Sequence, residues 1–105
     1  MNEKAEENKM RELQMLEQNL QNILLQKQAF QIELRETKAA LKELEKSGEE
    51  VFKIIGQLMI KTDKKSMKEE LISKEKIIGL RISSFEKQQQ ALSTKLDELQ
   101  REFVK

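Results

Sequence analysis

The chain has 105 residues, 20 Lys+Arg against 19 Asp+Glu, and a formal net charge of +1. It contains no Cys, His, Pro, Trp or Tyr. That inventory excludes zinc sites built on Cys or His, disulfides, and Ser-His or Cys-His nucleophile pairs. The balanced charge gives no electrostatic ground for nucleic-acid binding. Charged residues make up 37% of the chain and hydrophobic ones another 37%. Such a composition suits long helices, with disorder as the competing outcome, and periodicity decides between them.

The first arm carries a heptad. Leu13, Leu16, Leu20, Ile23, Lys27, Phe30, Leu34, Thr37, Leu41 and Leu44 follow one another at alternating intervals of three and four. A disordered chain has no reason to hold that spacing, so a coiled-coil helix is expected. Ser47-Gly48 should stop it, with Gly48 in the left-handed C′ conformation. Leu25, Ala29 and Ile32 form a second apolar stripe roughly opposite the seam, extended by Met15 and Leu24. Either a neighbouring subunit or a bound ligand would cover it.

Residues 51–62 are dense in β-branched side chains around Gly56-Gln57. Two short apolar runs split by a Gly-containing pair predict a β-hairpin over 50–63, with glycine first as a type II′ turn requires. The alternative is one uninterrupted helix. Gly48 and Gly56 would each cost it about 1 kcal/mol, and the second arm's seam is out of phase with a continued heptad. Ser66 followed by Glu69 has capping-box spacing and should start the second helix. Its seam is Leu71, Glu75, Ile78, Ile82, Phe85, Gln89, Leu92, Leu96, Leu99 and Phe103.

The arms match in length and each has one seam to bury, so they should pair antiparallel. The expected register sets Leu13 opposite Leu99, Leu20 opposite Leu92, Thr37 opposite Glu75 and Leu41 opposite Leu71; a shift of one heptad stays open. Lys27 and Gln89 interrupt the seams, favouring a register device over a point of flexion. The fold class is therefore mainly α: an antiparallel two-helix coiled-coil hairpin with one β-hairpin inserted between the arms. It is expected as a single domain over 1–105, with arms at about 8–47 and 66–104.

An isolated two-stranded hairpin is marginal in water. Here Val51 and Ile55 lie on one face, Phe52 and Ile54 on the other, and Leu58 and Ile60 alternate with Met59 in the second strand. One pair of helices cannot cover both faces and both edges, and exposed edges recruit further strands. Assembly through Val51, Phe52, Ile54, Ile55, Gly56, Leu58, Met59 and Ile60 follows. Ile72, Ile77 and Leu80 lie off the second seam and also need cover.

The run FKIIGQLMIK, from Phe52 to Lys61, resembles the hairpin of a β-type prefoldin subunit, in particular that of archaeal prefoldin: an aromatic, a lysine, aliphatics, a glycine, an aliphatic run and a second lysine between two coiled-coil arms. Gln26-Lys27-Gln28, the stretch ELRETKAALKELE and the later EKQQQALSTKLDELQ also resemble β-type sequences, and a single hairpin insert points to the β type. The resemblance implies an ATP-independent chaperone, a holdase. Two α-type and four β-type subunits would form a hexamer whose joined hairpins make a barrel platform. The arm tips would hold unfolded client proteins for a group II chaperonin. The client-binding residues would be Met10, Leu13, Leu16, Leu99, Phe103 and Val104, near helix ends that no turn closes. No phosphate-cradling glycine loop is present. No enzyme activity, catalytic residue, cofactor or metal is expected, and no nucleic-acid or membrane partner. The absence of Cys, of an apolar leader and of any apolar run long enough to span a bilayer fits a cytoplasmic protein. The competing function is a structural coiled-coil tether or scaffold whose arms dimerise in parallel.

Overall fold

The computed structural model describes residues 3–104, with the Val104 side chain outside the described set. The elements run α1 (Glu3–Lys46), β1 (Glu50–Ile55), β2 (Leu58–Asp63) and α2 (Lys64–Val104). Two long helices with a two-stranded antiparallel hairpin between them confirm the expected fold class. They exclude the single uninterrupted helix. The chain divides into two compact units, a terminal one of residues 3–29 with 82–104 and a central one of residues 30–81.

In the terminal unit the enclosed side chains are those of the heptad. Leu16, Ile82 and Leu99 are buried, and Leu13, Leu20, Ile23, Phe85, Leu92 and Leu96 are half-buried. Lys27 is half-buried too, and its amine donates to the Gln89 side-chain carbonyl at 3.2 Å. The lysine stem fills the seam while its head finds a polar partner across it, so the interruption leaves no unpaired group. An ion pair from Lys9 to Glu102, 3.1 Å, ties the two helices further along.

In the central unit the seam positions Leu34, Leu41, Leu44, Leu71 and Ile78 are buried or half-buried. Thr37 is buried, and its hydroxyl donates to the Glu33 carbonyl at 2.8 Å, which satisfies it within its own helix. Arg81 lies over the Phe30 ring, 5.7 Å from its centroid. Lys74–Glu33 and Lys68–Glu45 ion pairs link the helices at 3.4 and 3.2 Å. In each unit the cross-helix pairs fall on both sides of the register that sets Leu13 opposite Leu99 and Leu41 opposite Leu71. The seam is one layer deep, so even its best-enclosed hydrophobe, Ile78, keeps 3% of its surface.

The first helix stops at Ser47-Gly48 as expected, but the way it is capped and the start of the second helix differ from expectation. α1 ends at Lys46, but Gly48 does not take a positive φ. The Ser47 hydroxyl and backbone N–H instead both donate to the Leu44 carbonyl, at 2.7 and 3.1 Å. The Lys64 amine reaches the carbonyls of Glu45 and Ser47 at 3.1 and 3.3 Å. With the orphan carbonyls of the last turn taken by side chains, a left-handed glycine is not needed. α2 begins at Lys64 rather than near Ser66, because Asp63 is its cap. The Ser66 N–H donates to Asp63 Oδ2 at 3.2 Å. Ser66 is thus the third residue of the first turn, and the aspartate accepts the N–H that a cap is placed to accept.

Candidate functional site: the uncovered apolar surfaces

The hairpin is built by an unbroken ladder from Glu50↔Asp63 through Lys53↔Ile60 to Ile55↔Leu58. Its loop is Gly56-Gln57. Gly56 has φ of 61°, and no residue other than glycine has positive φ among those described. A positive first and negative second position define the type II′ turn expected from the sequence.

The register assigns the faces. Val51, Lys53, Ile55, Leu58, Ile60 and Thr62 share one, and Phe52, Ile54, Met59 and Lys61 the other. At the base of the first face, Val51, Lys53 and Thr62 are half-buried, and Lys53 pairs with Glu70 of α2 at 3.1 Å. Beyond that the cover ends. Ile54 is 72% exposed, Met59 69% and Leu58 66%. Phe52, Ile55 and Ile60 are exposed as well. So many large apolar side chains on both faces of two short strands exceed what a folded surface ordinarily leaves to water. An open apolar groove of about 450 Å³ between Ala40, Leu44, Val51, Phe52, Met67 and Leu71 adjoins them. In α2, Ile72, Ile77 and Leu80 are also exposed, as their off-seam positions predict.

The predicted tip residues divide. Leu16 and Leu99 are buried in the seam and Leu13 is half-buried. Met10 and Phe103 are exposed and line one open groove with Glu3, Glu6 and Glu7. The Val104 side chain lies outside the described residues. Sequence reasoning grouped all six because the heptad ends there. A heptad marks what the partner helix covers, and only the residues at its very end escape cover.

Among the described residues no group of His, Cys, Asp or Glu is arranged to hold a metal ion. No helix there is long and apolar enough to cross a membrane. The Asp63 carboxyl is held below its ordinary range, by hydrogen bonds from the Ser66 side chain and then its backbone N–H. It is a helix cap and adds no reactive group.

Comparison with known proteins gives one consistent result. The family profile described as prefoldin subunit matches residues 7–105. A "Prefoldin subunit beta" of Thermococcus onnurineus is 41% identical over 90 residues, covering 84% of this chain and 78% of that protein. One from Sulfurisphaera tokodaii is 38% identical over 91 residues, covering 85% and 73%. The crystal structure of the prefoldin beta subunit from Thermococcus strain KS-1 superposes with a TM-score of 0.83 at 35% identity, covering 91% of this chain and 86% of that one.

Proposed function

This chain belongs to the prefoldin subunit family as a β-type member, and on that premise we propose that it serves in an ATP-independent holdase. Its hairpin joins those of other subunits, an α-type partner among them, in a hexamer of two α-type and four β-type chains. Its free helix ends capture unfolded proteins, which pass to a group II chaperonin in the cytoplasm. The observation that carries this reading is the uncovered hairpin. The chain buries its helical seam but leaves both sheet faces open, which a subunit does and a self-sufficient tether has no need to do. The exposed Ile72, Ile77 and Leu80 in the same central unit support a subunit contact that extends from the hairpin onto α2.

Capture at the helix ends is supported by Met10 and Phe103, apolar and exposed. Terminal turns fray because their last backbone groups lack partners, and fraying would release Leu13 and Leu99 as well. The attraction is apolar area, at about 25 cal/mol per Å² buried. Each arm binds weakly, and several arms on one platform gain by effective concentration.

The test removes residues 1–12 and 100–105 and follows light scattering of a refolding client, with assembly mass measured in parallel. Suppression of aggregation should vanish while the mass stays that of the assembly less the deleted residues. Full suppression by the truncated assembly would move capture elsewhere on the arms. The reading is also non-enzymatic, since no loop in the sequence can cradle phosphates. Calorimetry with ATP should give no saturable binding.

A further inference from the structure

Residues 14–29 of α1 depart from a chain that is 37% charged. They hold two charged side chains, Glu17 and Lys27, and Lys27 is turned into the seam. Residues 33–46 of the same helix hold eight. In place of charge, the exposed surface of 14–29 offers amides, among them Gln18, Gln21, Asn22 and Gln26. None of these four amides has a side-chain hydrogen bond among the described residues. Between them stand Met15, 63% exposed, Leu25, 59%, and Leu24, 41%.

The placement of these apolar groups selects the occupant. At about 100° per residue, Leu25 lies about 80° around the helix from Met15 and about 100° from Leu24. A rigid partner helix is met by an apolar stripe roughly 100° wide. No such partner covers all three. A flexible chain can lie across them in turn. An unfolded chain also brings unpaired backbone N–H and C=O groups, whereas a folded partner has already paired its own. Glutamine and asparagine both donate and accept, so they can serve either kind of group. The near absence of charge spares the desolvation that burying charges would cost and sets no preference for the sign of the client.

We infer that the charge-poor segment of α1, residues 14–29, is a binding surface for unfolded polypeptide that wraps the solvent-facing half of the helix from Met15 past Leu25 to Leu24. Gln and Asn amides hold its main chain, and Met15, Leu24 and Leu25 take its apolar side chains. This inference rests on the holdase reading and adds a second surface to the helix ends.

The test uses the assembly formed by the full chain with a co-purified α-type partner, and guanidinium-unfolded citrate synthase as client. Two measurements are made. The variant Gln18→Glu/Gln21→Glu/Leu25→Glu charges the surface with residues that helices accept well. Its concentration for half-suppression of aggregation should rise at least threefold, with circular dichroism and assembly mass unchanged. A photo-crosslinking benzoylphenylalanine at position 25 should capture client, and the same group at position 39 should not. Unchanged suppression in the folded, correctly sized variant overturns the inference. So does a position-25 crosslink that goes only to another subunit, since the surface would then be a subunit contact. Loss of suppression in the terminal truncation with none in the charged variant leaves the helix ends as the site and this surface without a role. A parent assembly that suppresses nothing removes the holdase reading, and this inference with it.

Discussion

The helical seam and the hairpin are made of similar apolar residues, and they end in opposite states. Every predicted seam position in α1 is at least half-buried, including Lys27 and Thr37. In the hairpin, Ile54, Leu58 and Met59 are each more than 60% exposed. The difference lies in partner supply. α1 and α2 each carry one stripe, so two helices of one chain close the account between them. The hairpin has two apolar faces and two open edges, and the single pair of helices covers only the base of one face. Unmet burial of that kind is a demand for further chains.

The comparison breaks most directly if the hairpin is made unable to accept partners. Replacing Ile55 and Ile60 together with Asp puts two carboxylates on one face of the sheet. Buried in an interface without partners, each would cost several kcal/mol by order of magnitude. Sedimentation velocity should show the assembly dissociated, while circular dichroism keeps its helical signal because the seam is untouched. A double variant with the parent's mass would remove the hairpin from the interface.

A subtler change keeps the hairpin's surface and disturbs only its turn. Gly56→Ala meets no atom within 4 Å, so any effect is conformational. Its φ of 61° begins a type II′ turn, and a non-glycine residue there is strained by about 1–3 kcal/mol. Assembly should weaken without being abolished, read as a rise of roughly five- to a hundredfold in the concentration at which half the mass is lost.

The seam can be tested in the other direction. Lys27→Leu with Gln89→Leu replaces the 3.2 Å hydrogen bond by apolar packing of similar bulk. Removing a half-buried polar pair in this way is commonly stabilising, here by about 1–2 kcal/mol. The arms should melt at higher temperature. Their register should become less strictly held, since an all-apolar seam specifies register less strictly than one interrupted by polar residues. Cysteines placed at the Leu13 and Leu99 positions would report it, their disulfide forming less completely in the double-leucine background. An unchanged melting temperature and unchanged crosslinking would leave the pair without an energetic role.

The seam, the hairpin and its turn type were legible from residue spacing, and the helix register only to within one heptad. Each rests on a pattern repeated over many residues, so local ambiguities average out. The helix ends beside the hairpin were not. At the close of α1, Ser47 and Gly48 are adjacent, and either can finish a helix. The serine hydroxyl took the Leu44 carbonyl and left the glycine without that task. At the start of α2, Asp63 and Ser66 are both good caps three residues apart. Strand pairing decided between them, because Asp63 is already fixed opposite Glu50 as the ladder's last residue. The candidate site was legible as a list of apolar residues. Which of them face water depended on where the partner helix stops covering, and that separated Met10 and Phe103 from Leu16 and Leu99.

The smallest expected effect sits where the two regions join, at Asp63. Its carboxyl is held below the ordinary range first by the Ser66 hydroxyl and then by the Ser66 N–H, both of which bond the ionised form. A carboxyl whose folded pKa is depressed contributes stability at pH values above its unfolded pKa. That contribution is lost as pH falls through the folded value. Carbon-13 titration of the Asp63 carboxyl in the intact protein should therefore give a midpoint below the ordinary value for an aspartate side chain. In Ser66→Ala the hydroxyl is gone and the N–H remains, so the midpoint should rise part of the way back. In Asp63→Asn the neutral amide still caps. The melting temperature of that variant should then fall less between pH 5 and pH 2 than the parent's, while the other carboxylates contribute equally to both. An Asp63 midpoint indifferent to Ser66→Ala would mean that the hydroxyl does not hold the cap, and that the backbone N–H alone sets where α2 begins.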